Sequence, residues 1–266
     1  MAEKTKIKTA LTDGIEMDYF SFGSGSRIFV ILPGLSISSV MLFAASIVNS
    51  YKDFSEEYTV YVFDRRKNIK STYTVYDMAE DTAKVMKSLG ISNAYIFGAS
   101  QGGMMAQVIA VDHPELVKKL VLGSTLSRIN SLACSVLSEW IHKAEQKDKR
   151  GFMQSTMSAM YSKNTYDMFI GSFLEMSDQL TDDEFNRFII MAKASDGFDV
   201  YDRLSMIKAP VFVIGALGDK VLGSEASSEI ADKLGCELYM YGNEYGHCVY
   251  DEAPDYKQKI KEFFDK

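Results

Sequence analysis

The run Gly98-Ala99-Ser100-Gln101-Gly102 sets a serine between two glycines where one apolar segment ends and another begins. Ala94 to Phe97 (AYIF) reads as a short buried strand, and Gly103 to Val111 (GMMAQVIAV) as a buried helix. A serine on the sharp turn between them projects its hydroxyl from the sheet edge, at a helix N-terminus that favours developing negative charge. Glycines at 98 and 102 leave room for such a turn. The chemistry implied is nucleophilic attack by Ser100.

A serine hydroxyl is a weak nucleophile at neutral pH and needs a base, most often a histidine held by a carboxylate. The chain has three histidines. His113, in Asp112-His113-Pro114, stands at a helix end and is expected to be a solvated cap. His142 sits in a helical stretch beside Trp140 and Lys143 with no local motif, which points to surface or packing. His247, in Tyr245-Gly246-His247-Cys248, follows the last predicted strand and precedes the C-terminal helix, so a loop carries it toward the sheet edge.

The acid is expected after an earlier strand, in the order Ser, acid, His. Val211 to Ile214 runs into Gly215-Ala216-Leu217-Gly218-Asp219, which places Asp219 on the loop leaving that strand. Asp64 precedes Ser100 and is expected to organise its loop with Arg65 and Arg66; Asp251 is expected to begin or support the last helix. Donors for an oxyanion are the backbone N–H of Gln101, just after the nucleophile, and that of Leu35 in Leu32-Pro33-Gly34-Leu35-Ser36. Met104, beside the turn, is a candidate for the substrate pocket.

Positioning these groups requires alternating strands and helices. Predicted strands are 15–22, 27–32, 58–63, 94–97, 116–122, 211–214 and 237–241; predicted helices are 39–51, 75–89, 103–113, 224–234 and 253–265. This rhythm implies an α/β fold with a mostly parallel sheet covered by helices on both faces. It breaks between 126 and 204, where helix-length stretches at 131–147, 151–161, 165–177 and 181–194 have no strand among them. Thr181-Asp182-Asp183-Glu184 reads as a capping box opening the last of these. The expected organisation is a core of 1–125 and 205–266 with a helical cap, 126–204, inserted. Methionines 104, 105, 153, 157, 160, 168 and 176 are expected mostly to fill core gaps, with a minority lining an adaptable apolar pocket.

Composition narrows the partners. A chain of 266 residues with 47% hydrophobic content supports a large core, and its net charge of -7 with dispersed Lys and Arg disfavours a nucleic-acid or anionic-membrane surface. A small-molecule substrate is expected. Cys134, Cys236 and Cys248 are an odd set without CxxC spacing, and the N-terminus lacks the apolar core of a signal peptide, so free thiols and a cytoplasmic location are expected. The uncharged run 28–48 is interrupted by Pro33-Gly34 and several serines and reads as strand, loop and helix rather than a membrane span. No clustered His, Cys and carboxylate set suggests a metal, no cofactor is required, and the elbow lacks the GxGxxG spacing of a dinucleotide site.

With these residues in order, the chain resembles the α/β-hydrolase family along nearly its full length. The elbow falls on Gly98 to Gly102, the acid loop on Gly215 to Val221 and the histidine loop on Gly246-His247; Asp112 to Leu122 and Phe63-Asp64-Arg65-Arg66 are similar to further passages of the family. Where members often carry His-Gly in the oxyanion loop, this chain has Pro33-Gly34. The resemblance implies a serine hydrolase cleaving a small carboxylic ester with an apolar acyl group, through an acyl-enzyme and a Ser100-His247-Asp219 triad. Carbon–carbon bond hydrolases, lactonases and thioesterases use the same triad, and a weakly active binding protein on this scaffold is the reading of another class. Serine at the elbow argues against the family's dehalogenases and epoxide hydrolases, which use a carboxylate nucleophile.

Overall fold

A computed structural model describes residues 5–266. Eight strands form one sheet: β1 (Lys8–Thr12), β2 (Ile15–Phe22), β3 (Arg27–Leu32), β4 (Tyr58–Arg66), β5 (Ala94–Ala99), β6 (Val117–Gly123), β7 (Val211–Ala216) and β8 (Glu237–Tyr241). Their spatial order is β1-β2-β4-β3-β5-β6-β7-β8. The β1–β2 and β2–β4 pairings are antiparallel, and the other five are parallel.

The helices are α1 (Ala44–Ser50), α2 (Val75–Ser88), α3 (Gln101–Asp112), α4 (Ser131–Glu145), α5 (Lys149–Met160), α6 (Lys163–Ser177), α7 (Asp182–Lys193), α8 (Ser224–Leu234), α9 (Val249–Glu252) and α10 (Tyr256–Asp265). Successive strand side chains point to opposite faces, and here both faces are apolar. Val30, Leu32, Ile96, Leu120 and Val213 enter a core shared with Met78 of α2, Ile109 of α3 and Ile230 of α8. Phe29, Ile31, Phe97, Val121 and Phe212 enter a second core with Ala44 of α1 and Ile260 and Phe264 of α10. The sequence pattern of continuous apolar strands therefore has its cause in two covered faces.

After β3 the chain moves outward to β4, then crosses back to place β5 on the other side of β3. Loops leaving the carboxyl ends of β3 and β5 thus part in opposite directions, and open α/β sheets hold their ligands in the crevice this creates. The Leu35 loop and Ser100 occupy it. Between β6 and β7 the chain builds α4 to α7. They pack through aromatic edges, with Phe152 of α5 5.5 Å from Phe185 and 4.8 Å from Phe188 of α7. Thr181 and Glu184 form the reciprocal capping box that starts α7.

Several boundaries differ from expectation. Strand β1 lies outside the strands expected from sequence. The segment expected as one helix over 39–51 begins as a 3-10 turn, Val40–Phe43, and only then becomes α1. Leu116 belongs to a 3-10 turn opened by Pro114, not to β6. Pro254 holds Ala253 extended at ψ 123°, so the last helix starts at Tyr256 and a separate turn, α9, precedes it. Met168 and Met176 are exposed on α6 and fill no core, whereas Met104, Met105 and Met153 are buried.

Candidate active site

Ser100 joins the end of β5 to the start of α3 with φ 53° and ψ -123°. A side chain at positive φ is strained and persists where its surroundings over-determine it. Its N–H donates to the Gly123 carbonyl at 2.9 Å, and its carbonyl accepts from Thr125 Oγ1 at 2.7 Å and from the Gly103 and Met104 amides at 2.8 and 3.1 Å. Glycine is required on either side of it. A Cβ on Gly102 would stand 1.9 Å from the Leu32 carbonyl oxygen, and one on Gly98 2.5 Å from that of Gly102.

The loops after β7 and β8 bring His247 and Asp219 together. The imidazole Nδ1 lies 2.8 Å from Asp219 Oδ2, and both residues are buried. An ionised carboxylate only accepts, so Nδ1 carries the hydrogen and Nε2 is left as the acceptor in neutral imidazole. The other carboxylate oxygen, Oδ1, accepts from the Val221 and Leu222 amides at 2.8 and 2.9 Å. Burial pushes the Asp219 carboxyl up, but the His247 charge, the hydrogen bond to it and the two amides together hold it below the usual carboxylate range.

The histidine loop is tied to the helices between β6 and β7. Cys248 N–H donates to the Met160 carbonyl at 2.8 Å. Glu252 bridges the two segments, accepting from Gly246 N–H through Oε2 at 2.8 Å and from Ser162 N–H through Oε1 at 3.0 Å. Gly246 is pressed against the α5–α6 junction; a Cβ there would lie 2.7 Å from the Met160 carbonyl oxygen. Glu252 carried no recognisable sequence signal, because its partners are backbone amides distant along the chain.

Ser100 and His247 face one cavity, lined also by Leu35, Met104, Trp140 and Leu222. It leaves about 30 Å³ for the centres of water-sized molecules. No hydrogen bond joins the Ser100 hydroxyl to His247, an arrangement common before substrate tightens such contacts. Leu35 and Gln101 both line this cavity, and no loop or turn hydrogen bond to a backbone carbonyl engages either N–H. Pro33 removes a donor but not an acceptor: its carbonyl takes a 2.7 Å hydrogen bond from Arg65 Nη2, which braces the loop. A roomier depression of about 390 Å³ among Tyr201, Glu225, Glu229 and Asp232 is open and contains none of these groups.

The remaining candidates lie elsewhere. His113 is not simply solvated; its ring nitrogens sit 2.7 Å from Glu80 and 3.0 Å from Lys87. His142 is exposed in the last turn of α4. Asp64 accepts from the Arg65 amide and the Ser39 hydroxyl, so it does organise its own loop. Asp251 does not begin the last helix, where Asp255 takes the N-cap position; it stands exposed in the short turn α9. Cys248 is buried with its Sγ 3.1 Å from the Tyr250 hydroxyl, and burial pushes its thiol well up.

Residues 27–254 match the family model for the alpha/beta hydrolase fold. RutD of Caulobacter segnis, named provisionally as a carbamate hydrolase, is 23% identical over 237 residues, covering 86% of this chain and 87% of its own length. Two solved structures share the fold. The MGS-M2 alpha/beta hydrolase enzyme from a Medee basin deep-sea metagenome library has a TM-score of 0.87 at 22% identity, covering 97% of this chain and 98% of its own. The enol-lactonase of Burkholderia xenovorans LB400 has a TM-score of 0.83 at 18% identity, covering 97% of this chain and all of its own. On the extent of the family match, with a sheet and elbow of the kind just described, the chain belongs to the alpha/beta hydrolase family.

Proposed function

We propose that the protein is a serine hydrolase of small carboxylic esters, with Ser100 as nucleophile, His247 as base and Asp219 as its orienting acid. The observation that carries this reading is the buried 2.8 Å His247–Asp219 pair facing the same cavity as a serine held at positive φ. Ser100 Oγ attacks the acyl carbon while His247 Nε2 takes its proton. The Leu35 and Gln101 amides hold the oxygen that becomes negative, a contribution worth about two to three orders of magnitude in rate per donor. His247 then returns the proton to the leaving alcohol, and water repeats the sequence to free the acid from the acyl-enzyme. Asp219 fixes the tautomer and stabilises the imidazolium.

Segment 126–204 serves in this reading as a cap. Leu137 and Trp140 of α4 and Met160 of α5 supply apolar wall to the cavity, which suits an apolar acyl group. The small space favours compact substrates, and a lactone, being a cyclic ester, passes through the same steps. Three free thiols fit a cytoplasmic location. Cleavage of p-nitrophenyl esters of rising acyl length tests the reading. Turnover is expected for short chains with a sharp length limit, falling to background in Ser100→Ala and His247→Gln; undiminished turnover in either variant would remove the triad from the account.

A further inference from the structure

Helix α7 belongs to the segment between β6 and β7, yet one side of it is bonded to the two stretches of chain that carry Leu35 and Gln101. Glu184, Arg187 and Met191 are spaced three and four residues apart, which puts them on one side of the helix over two turns, about 10 Å of its length. Each is bonded to residues far away along the chain.

At the N-terminal end, Ser38 Oγ donates to Glu184 Oε1 at 2.5 Å. Ser38 stands three residues after Leu35, in a loop tightened by the bond from Ser36 Oγ to the Ser38 carbonyl at 2.8 Å. Glu184 Oε2 is taken by the capping box with Thr181, so one oxygen starts the helix and the other holds the loop. In the middle, Arg187 donates to the Lys67 and Arg65 carbonyls at 3.1 and 3.3 Å, and Arg65 in turn holds the Pro33 carbonyl.

At the C-terminal end, the last carbonyls of a helix have no i+4 amide within it to accept from. Those of Ile190, Ala192 and Lys193 accept from the Ala194, Ser195 and Asp196 amides that follow. That of Met191 accepts instead from Gln101 Nε2 at 2.7 Å, which also donates to Ser195 Oγ at 3.1 Å. The residue after Ser100 therefore caps α7 with its side chain while its backbone N–H belongs to the nucleophile turn. Gln101 is 2% exposed, and a buried carbonyl and amide left without each other would be costly.

We propose that α7 positions both oxyanion donors, with Ser38 and the Gln101 side chain as the positioning groups that tie the Leu35 and Gln101 amides to its two ends. The inserted segment then shapes the catalytic geometry as well as the pocket wall. The consequence for turnover rests on the proposed role of Ser100; the brace itself does not. An oxyanion needs its donors at about 2.7–3.1 Å, so loosening either end costs rate more than substrate binding.

Ser38→Ala and Gln101→Met each remove one tie and keep the backbone N–H. Relaxation of ¹⁵N-labelled protein reads the brace without catalysis: the Leu35 amide is expected to show an order parameter of about 0.85 in wild type that falls toward roughly 0.6 in Ser38→Ala, and the Gln101 amide to do the same in Gln101→Met. On a short p-nitrophenyl ester, kcat should fall at least about tenfold in each variant while KM changes less than about threefold. Affinity for a trifluoromethyl ketone, whose adduct with a serine hydroxyl carries the oxyanion, should fall in step with kcat. Ser38→Thr, which keeps the hydroxyl, is expected to restore both readouts. Wild-type order parameters in both variants, or loosened donors with wild-type kcat and inhibitor affinity, would overturn the proposal. A wild-type protein that cleaves no ester would remove the hydrolase reading, and the order parameters would still decide the brace.

Discussion

Glu252→Gln probes how the histidine loop is held. The carboxylate accepts from Gly246 N–H at 2.8 Å and Ser162 N–H at 3.0 Å, one on each side of the contact between that loop and the α5–α6 junction. A glutamine keeps one acceptor and turns an NH2 toward the other N–H, so one hydrogen bond to a charged group is lost and a donor faces a donor. Such a bond contributes about 1.5–3 kcal/mol. For a chain of this size that corresponds to a fall in Tm of roughly 3–12 °C. Gly246 lies next to His247, so freeing the loop also misplaces the imidazole, and a displacement near 1 Å costs on the order of a hundredfold in rate. Melting curves and steady-state kinetics on a short p-nitrophenyl ester read both effects. The expected result is a lower Tm together with a kcat reduced by at least about tenfold and a KM changed far less. Unchanged Tm and kcat would refute the clamp, and a lower Tm with wild-type kcat would refute its link to His247.

Other expectations follow from the same geometry. Gly102→Ala forces a Cβ to within 1.9 Å of the Leu32 carbonyl oxygen and so displaces the oxyanion loop; a loss in kcat/KM of at least about a hundredfold is expected, and wild-type kinetics would contradict that close approach. Because the folded Asp219 carboxyl titrates below its unfolded value of about 3.9, its stabilisation is complete above that pH and is lost as pH falls through the folded value. The stability difference between wild type and Asp219→Asn, measured by urea unfolding, should therefore shrink in acid, and a difference constant down to pH 2 would count against it. Burial pushes the Cys236 thiol up to about 11 and the Cys248 thiol well up, whereas Cys134 is exposed. Thiol titration of the folded protein at pH 8 should show one fast thiol, abolished in Cys134→Ser; two or three fast thiols would be inconsistent with this burial.

The parts of the fold read most readily from sequence were those whose cause is local. The β5–Ser100–α3 passage shows itself in an apolar run, a glycine pair and a helical run, and chain order brought Asp219 and His247 to the ends of their strands. Strand β1 is not legible in the sequence because only Ala10 of its residues is buried, which erases the alternation a strand normally shows. A signal was present all the same: Asp13-Gly14, with φ 48° and 73°, closes the two-residue hairpin that pairs β1 with β2. Asp251 does not open the last helix because Pro254 breaks the run after it and moves the N-cap to Asp255. The bonds from Glu252 to Ser162, from Arg65 to Pro33 and from Gln101 to Met191 join residues 90, 32 and 90 positions apart. No periodicity encodes such contacts, and they appear only once the sheet order brings the loops together.

The claim at the centre of this account is that Ser100 is the nucleophile, and covalent trapping tests it most directly. Folded protein is treated with a fluorophosphonate, digested, and the modified peptide identified by mass spectrometry. The account predicts a single adduct on Ser100, absent in Ser100→Ala and formed far more slowly in His247→Gln. An unlabelled Ser100 in folded protein, or an adduct on another residue with esterase activity lost in parallel, would contradict it.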